Sequence, residues 1–467
     1  MNKKFNIKII GFLLIIVIIS GYFLTKWPIK DNANVVFNNL KSHLNLNKEQ
    51  KLLVKKYIFP FKTISEQRET IFRQQEMLKL IDLPDVELKK KQEGSEIILE
   101  ESNIKLSNNK ILKKYRLTSG FYYGIYNYFP GSGYIDFYRD NVIVLSSRGV
   151  LAFKRNIEDA EESFQQIKNN INEFIGYNQY KKNTWFSLKD LHISNNKVFI
   201  SYTEEIKENC WNTSMIYGDI NTENIKFEKL FSPKECIHSI NSIEKEFNAH
   251  QSGGRMISFD DKNILLTIGD YRNRNLGQDI KSVNGKIIKV NIDNGKYETI
   301  TMGNRNPQGL YFDRENDFIL ETEHGPMGGD EINLIEVSKI NEDKIQNFGW
   351  PISSAGEHYG GKIEENKTKY EKYPLYKSHS EHGFIEPLKS FVPSISPSEI
   401  VKVEANKYVT GSFIDKSLYF FELNEQKQII NLDRVEVFER VRDLKFKNNQ
   451  LYLFMEDSAS IGLIDLN

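Results

Sequence analysis

The chain has 467 residues, 39% of them apolar, enough for one large domain with a sizeable core and an accessory segment. Lys plus Arg and Asp plus Glu balance at 63 each, so no net field draws the protein onto nucleic acid or anionic lipid, and nucleic acid is not an expected partner. With 23 Tyr and 30 Phe the aromatic load suits strands, which makes all-β the expected class.

The first element in chain order is "MNKKFNIKIIGFLLIIVIISGYFLTKW". Lys3, Lys4 and Lys8 precede an uncharged run at 9–25 that is slightly short for a membrane span and is lengthened by snorkelling of Lys8 and Lys26. No small-x-small cleavage site follows it, so residues 1–30 read as an uncleaved signal anchor, a single transmembrane helix. The lysines ahead of the span outweigh Lys26 and Lys30 behind it and orient the N-terminus inward. The remainder is therefore expected outside the inner membrane, in the periplasm or extracytoplasmic space. Residues 31–94 are charged and rich in Gln and Lys. Helical apolar spacing in "LLVKKYIF" and "ETIFRQQEMLKLIDL", interrupted at Pro60 and Pro84, predicts a helical stalk.

From 95 to 467 the pattern becomes short alternating runs such as "GYIDFYRDNVIVLSS", "KVFISYTEE", "GKIIKVNID" and "SLYFFEL", separated by Asn, Asp and Gly turns. Many short strands without intervening helices leave a sandwich, a barrel or a propeller. A recurrent unit in "DDKNILLTIGD", "RENDFILETEHG" and "FKNNQLYLFMED" suggests blades. Cys210 and Cys236 form an even pair in an oxidising compartment, and a disulfide between them closes a loop worth roughly 3 kcal/mol. Neither has a second Cys or a His at ligand spacing, so they do not read as a metal site.

Five strings, "HQSGGRMISFDDKNILLTIGD", "GKIIKVNIDNG", "GNRNPQGLYFD", "ETEHGPMGGDEINLI" and "NFGWP", follow one another between His250 and Pro351, with weaker echoes in "VPSISPSE" and "RVRDLKFKNNQLYLFME". Together they resemble the glucose/sorbosone dehydrogenase family. The resemblance implies a six-bladed β-propeller that oxidises a sugar or related hydroxyl compound with pyrroloquinoline quinone (PQQ) and Ca²⁺. Oxidation of a sugar C1 hydroxyl needs a base near neutral pH, a role a histidine held by a carboxylate can fill. By resemblance His250 is that base and Asp270 the acid that orients it.

The three carboxylates of PQQ need arginines, whose planar fork grips a carboxylate with two bonds. Arg305 and Asn306 match one cofactor-contacting pair of the family, and Arg440 and Arg442 match its two later arginines. The family holds Ca²⁺ on main-chain carbonyls that correspond to Gly325 and Pro326. A second, structural calcium in some relatives involves acids that correspond to Asp330 and Glu331.

Three features depart from the family. Ile414 stands where a cationic residue pairs with the cofactor, and Lys416 lies two residues later. "NTWFSLKDLHI" replaces a "GQGGLL" stretch whose glutamine meets the quinone. His324 occupies a position that varies among relatives. Two readings follow: a membrane-anchored PQQ-dependent dehydrogenase that passes electrons from a sugar-like substrate to a quinone or other acceptor, or a non-catalytic propeller that binds a glycan or a partner protein. The His/Asp pair with Arg440 and Arg442 favours the first, because those arginines call for an anionic ligand. If the orientation of the anchor is right, a reporter fused after Asn467 is active only outside the cytoplasm; activity inside the cell would reverse it.

Overall fold

In the strand Asn263–Ile268 every residue after the first is buried, and alternate side chains enter two different cores. Ile264, Leu266 and Ile268 pack with Phe199, Met215 and Met256, whereas Leu265 packs with Ile287, Ile319 and Phe348. Phe318–Glu323 repeats the arrangement: Phe318 and Leu320 join Tyr408 and Phe421, while Ile319 joins Leu265. A period-two run buried on both faces means a sheet covered on each side by another sheet. Sheets stacked this way around a ring make a propeller.

The computed structural model describes residues 99–117, 132–159, 162–183, 185–340 and 345–467. The expected anchor at 1–30 and stalk at 31–94 lie outside these residues. Among the described residues no helix is long and apolar enough to cross a membrane.

Among the described residues six mainly antiparallel sheets of four or five strands form blades, and a two-stranded parallel sheet, Lys168–Asn169 with Asn224–Ile225, lies beside them. In chain order their innermost strands are Gly133–Tyr138, Leu188–Ser194, Gly253–Ser258, Pro307–Asp313, Pro397–Glu404 and Val441–Lys447, which define blades one to six. Each touches the next, and the last touches the first, so the ring is closed. Closure is made by the chain itself. The sixth blade takes its outer strands, Ile111–Leu117 and Leu99–Lys105, from the N-terminal side, and Leu112 pairs with Ile464 of the C-terminal strand Ser460–Asp465. The all-β six-bladed expectation therefore holds. The disulfide between Cys210 and Cys236 is also formed, with Cα atoms 5.3 Å apart, at the edge where Trp211 pairs with Ile237.

A single irregularity recurs on the inner strands. Register slips between Leu188 and Asp190, Gly253 and Met256, Pro307 and Gly309, Pro397 and Ile400, and Val441 and Asp443. A bulge inserts an unpaired residue and re-aims its neighbours. These slips deliver polar groups to the axis. The Nη1 of Arg255 lies 2.7 Å from Asp190, 2.9 Å from Glu399 and 2.8 Å from Asp443. Its Nε donates to the Gln308 carbonyl at 2.9 Å and its Nη2 to the Arg442 carbonyl at 3.4 Å. The first blade joins through Asp443, which accepts the Ile135 amide at 2.8 Å. One guanidinium thus ties five blades directly and the sixth through a shared carboxylate.

Lys445 also lies buried near the axis; burial lowers its pKa, but Asp136, Asp443, Glu399 and Asp190 outweigh that and hold it above the usual lysine value. Burial pushes the Asp190 carboxyl up to about 8 even though Arg255 pulls it down.

Removing the guanidinium takes the shared ion-pair partner from three buried acids, so Arg255→Met is expected to cost about 3–5 kcal/mol of unfolding free energy at neutral pH. The orphaned acids then have folded-state pKa values above their unfolded ones, the folded state binds more protons, and stability rises as pH falls towards the unfolded values. Denaturant titrations of Arg255→Met at pH 7.5 and pH 5.5 should show the deficit shrinking on acidification; a deficit that grows would contradict the hub.

Candidate active site

The sequence-predicted residues gather at one mouth of the ring, linked contact by contact. The half-buried His250 ring follows a turn in which its own amide donates to Asn248 Oδ1 at 2.8 Å. Trp185 stacks on it with centroids 4.6 Å apart, and the His324 ring lies 6.2 Å away. Burial, then His324, Lys189, Arg442 and Arg440, holds His250 well below the ordinary imidazole pKa, so its ring is neutral.

His324 had been given no role, yet it is a buried joint of the site. Its Nε2 faces the Pro397 carbonyl at 2.8 Å, which assigns the proton there, and its Nδ1 lies 3.4 Å from the Asn306 amide. Its ring sits edge-on to Phe413 at 5.6 Å. Both later arginines lie over Phe413, Arg440 at 4.8 Å and Arg442 at 4.2 Å.

Glu456 sets the direction of these two arginines. It accepts Arg440 Nε at 2.8 Å through one oxygen, and Arg442 Nε at 2.9 Å and Nη2 at 2.6 Å through the other. Although burial opposes it, the two guanidinium groups pull the Glu456 carboxyl down to about 2. Arg440 precedes the strand Val441–Lys447 and Arg442 occupies its bulge. Glu456 was not anticipated, but it was findable. The hairpin returns to it, and its amide donates to the Arg440 carbonyl at 2.8 Å.

Asp270 does not meet His250 as expected. Its Oδ2 accepts Trp350 Nε1 at 2.9 Å and its Oδ1 accepts the Arg272 amide at 2.8 Å. Its other side-chain partner is Gln251, the residue after His250. With its amide oriented by its neighbours, Gln251 donates to Asp270 Oδ1 at 2.9 Å and accepts from Arg305 Nη2 at 2.8 Å and Arg272 Nε at 3.1 Å. Asp270 therefore organises the Gln251 and Arg305 side of the mouth. His250 is placed by aromatic rings instead.

Arg305 and Asn306 are anchored from beneath by Glu323, which accepts both main-chain amides, at 2.6 Å and 3.3 Å. The Arg305 guanidinium lies 5.2 Å from the Trp350 ring centroid and donates to the carbonyls of His324 and Gly325 and to the Tyr359 hydroxyl.

The four residues expected to hold Ca²⁺, Gly325 and Pro326 at one site and Asp330 and Glu331 at another, make protein contacts in this structure. The Gly325 carbonyl already accepts from Arg305, so a cation there would meet a guanidinium. Pro326 packs against Gly356, whose added Cβ would come within 2.9 Å of its ring. Both oxygens of Asp330 are engaged: one accepts the Gly325 amide at 2.9 Å, the other the Ile395 amide at 2.7 Å, the Ser396 amide at 2.6 Å and the Ser394 hydroxyl. Asp330 is a clasp between blades four and five. Glu331 sits with Glu321 and Glu323 around the Asn333 amide, at 3.2, 2.9 and 3.4 Å respectively, and burial raises the pKa of all three carboxyls, that of Glu323 to about 7. Among the described residues no group of three or more His, Cys, Asp or Glu side chains is arranged to hold a metal ion.

Lys416 does not reach the site in place of the missing cation at Ile414. Its ammonium pairs with Asp457 at 2.6 Å, and Ile414 itself is exposed.

A closed six-bladed propeller with a neutral histidine beside convergent arginines defines a class of sugar-dehydrogenase-type propellers. The sequence matches the family described as Glucose / Sorbosone dehydrogenase over residues 187–464, more than half of the chain, and the chain belongs to that family.

It is similar to the aldose sugar dehydrogenase YliI of Escherichia coli K12, 28% identical over 293 residues, covering 56% of this chain and 71% of that protein. It is 35% identical over 132 residues to quinoprotein glucose dehydrogenase B of Acinetobacter calcoaceticus, covering 22% of this chain and 26% of the relative. An uncharacterised Synechocystis protein is 28% identical over 223 residues, 41% of this chain and half of its own length. Among solved structures, the apo-form soluble aldose sugar dehydrogenase of E. coli shares the fold with a TM-score of 0.55 at 19% identity, over 71% of this chain and 94% of its own. The PQQ-bound aldose sugar dehydrogenase of Streptomyces coelicolor does so at 0.51 and 16% identity, over 72% of this chain and 99% of its own.

If Asp330 is a clasp, Asp330→Ala strips an acceptor from three buried amides and lowers the unfolding free energy by about 3 kcal/mol. The loss is expected to be equal in excess Ca²⁺ and in chelator. A loss that appears only with Ca²⁺ present would restore Asp330 as a metal ligand.

Proposed function

We propose that this protein is a PQQ-dependent dehydrogenase that oxidises a sugar or related hydroxyl compound, with its propeller held outside the cytoplasmic membrane by the N-terminal segment. One observation carries the reading: a neutral imidazole, His250, stands among Arg440, Arg442 and His324, so a base able to accept a proton adjoins a field able to hold an anion.

The residues present fit the cofactor. Arg440 and Arg442 are aimed by the shared carboxylate of Glu456, and Arg305 and Asn306 add donors from blade four. When bound, PQQ supplies a two-electron acceptor for the hydride of the reacting sugar carbon. An unprotonated ring nitrogen of His250 takes the hydroxyl proton as the carbonyl of the lactone forms. Arg440 and Arg442 grip carboxylates of the cofactor, with Glu456 keeping their heads in register. Asp270, through Gln251, fixes Arg305 on the far wall. Trp185 lies against the imidazole and keeps water from that side.

The activities named for the Escherichia, Acinetobacter and Streptomyces proteins support this chemistry. The Cys210–Cys236 disulfide supports an oxidising compartment. The final electron acceptor on this reading is a quinone or another external acceptor. A second reading, a non-catalytic propeller that binds a glycan or partner, is favoured by Trp185, whose ring covers one face of His250.

Reconstitution of the full chain with PQQ decides between them. The dehydrogenase reading expects binding at micromolar concentration. It also expects loss of turnover by roughly 10²–10⁴ in His250→Ala with affinity nearly unchanged, and affinity weakened about tenfold or more in Arg442→Ala. A folded wild-type protein that does not bind PQQ leaves the binding-module reading.

A further inference from the structure

The sequence at the start of blade two, "LKDL" at 188–191, has a counterpart at the start of blade six, "VRDL" at 441–444. The structure makes the two equivalent. In each, the residues flanking the cation pair in register with the second strand, Leu188 with Tyr202 and Asp190 with Ser201, Val441 with Met455 and Asp443 with Phe454. Lys189 and Arg442 are thus the bulged residues of their blades, and the acid after each bonds the same Arg255 nitrogen. Arg442 lies in the site described above. Lys189 is placed at the same level of the ring, two blades away.

Its surroundings agree. The Lys189 ammonium donates to the Trp185 carbonyl at 2.8 Å, and Trp185 is the residue stacked on His250. The lysine stem runs so close to Gly254 that a Cβ there would come within 2.3 Å of Lys189 Cβ, and Gly254 has a φ of +116°, so only glycine leaves the passage open. Burial, then Arg442 and Arg148, presses the Lys189 pKa down to about 7, and Glu456 is the acid that opposes them. Lys189, Arg440 and Arg442 therefore all draw on the Glu456 carboxylate, to which Asp457 adds at Arg440. Like charges converging in a partly desolvated mouth are unfavourable by themselves, and an anion of more than one charge relieves them.

We propose that Lys189 is a cofactor-binding residue, which closes the anion pocket from blade two opposite Arg440 and Arg442 and pairs with a carboxylate of the quinone. The assignment rests on the PQQ reading above, and it names a residue whose position in the sequence carries no lysine signature of its own.

The test is equilibrium binding of PQQ to the full-length protein, followed by ligand absorbance, with the thermal midpoint of the ligand-free protein measured alongside. Lys189→Met is expected to weaken PQQ binding on the order of tenfold. Its ligand-free midpoint should not fall, because the substitution removes a repelled charge and keeps the stem. Lys189→Arg should recover most of the affinity, and Lys181→Met, on the exposed surface, should match wild type. Wild-type affinity in Lys189→Met overturns the proposal while leaving the dehydrogenase reading intact. Should Lys189→Met lose stability as well, the arginine variant decides: a folded Lys189→Arg that binds no better than Lys189→Met assigns the effect to packing and also overturns it. A wild-type protein that fails to bind PQQ removes the functional reading and this assignment with it.

Discussion

The structure depends on Arg255. Six twisted sheets packed face to face share apolar cores but have no fixed reason to meet at one axis, because apolar contact is non-directional. A guanidinium is directional, with five donors in a rigid fork. Here those donors are taken by acids and carbonyls from the four blades two, four, five and six, and the amide of Ile135 completes the ring through Asp443. Burying such a charge is favourable only when it is fully paired, so the ring has one arrangement that satisfies it and many that do not. Strand bulges make the pairing possible, since a regular strand would send alternate residues to the two faces and leave the axis to main chain.

The candidate site inherits its precision from that hub. Asp190 and Asp443 are fixed on Arg255, and the residues directly before them, Lys189 and Arg442, are carried to the mouth on the same bulges. A shift of the hub would move both cations together. Glu456 holds Arg440 and Arg442 together, and Phe413 provides an aromatic floor beneath both guanidinium groups. The other wall is built separately, from Glu323 under the amides of Arg305 and Asn306 and from the Gln251 bridge between Arg305 and Asp270. His250 lies between the walls and is held by rings, with no carboxylate on its nitrogens. Its basicity is therefore lowered by burial first and by the surrounding positive charge second, and an anion bound to those cations raises it.

The loop of "EHGPMGGDE" shows how one motif serves the fold before any chemistry. Asp330 gathers amides from its own loop and from the entry to blade five, and His324 donates across the same seam to Pro397. Arg305 then uses the exposed carbonyls of His324 and Gly325. The acids and glycines of this loop thus form a seam between neighbouring blades.

Much of this was legible in the sequence. Alternating apolar runs bounded by Asn, Asp and Gly specify short strands through a purely local rule, and the ordered strings from His250 to Pro351 specify the family. The disulfide followed from an even pair of cysteines. Arg305, Arg440 and Arg442 stood out through their match to the family's cofactor-contacting positions. What the sequence could not determine was which charge meets which. Asp270 lies close to His250 along the chain, yet turns to Gln251 and Trp350. Glu456 faces Arg442 only because a hairpin returns there, and Lys189 joins Arg442 only because blades two and six repeat the same bulge around a closed ring. Patterning along a chain reports which face a residue occupies. Pairing across blades is set by ring closure and by the few arrangements that leave no buried charge alone, and those belong to the tertiary structure.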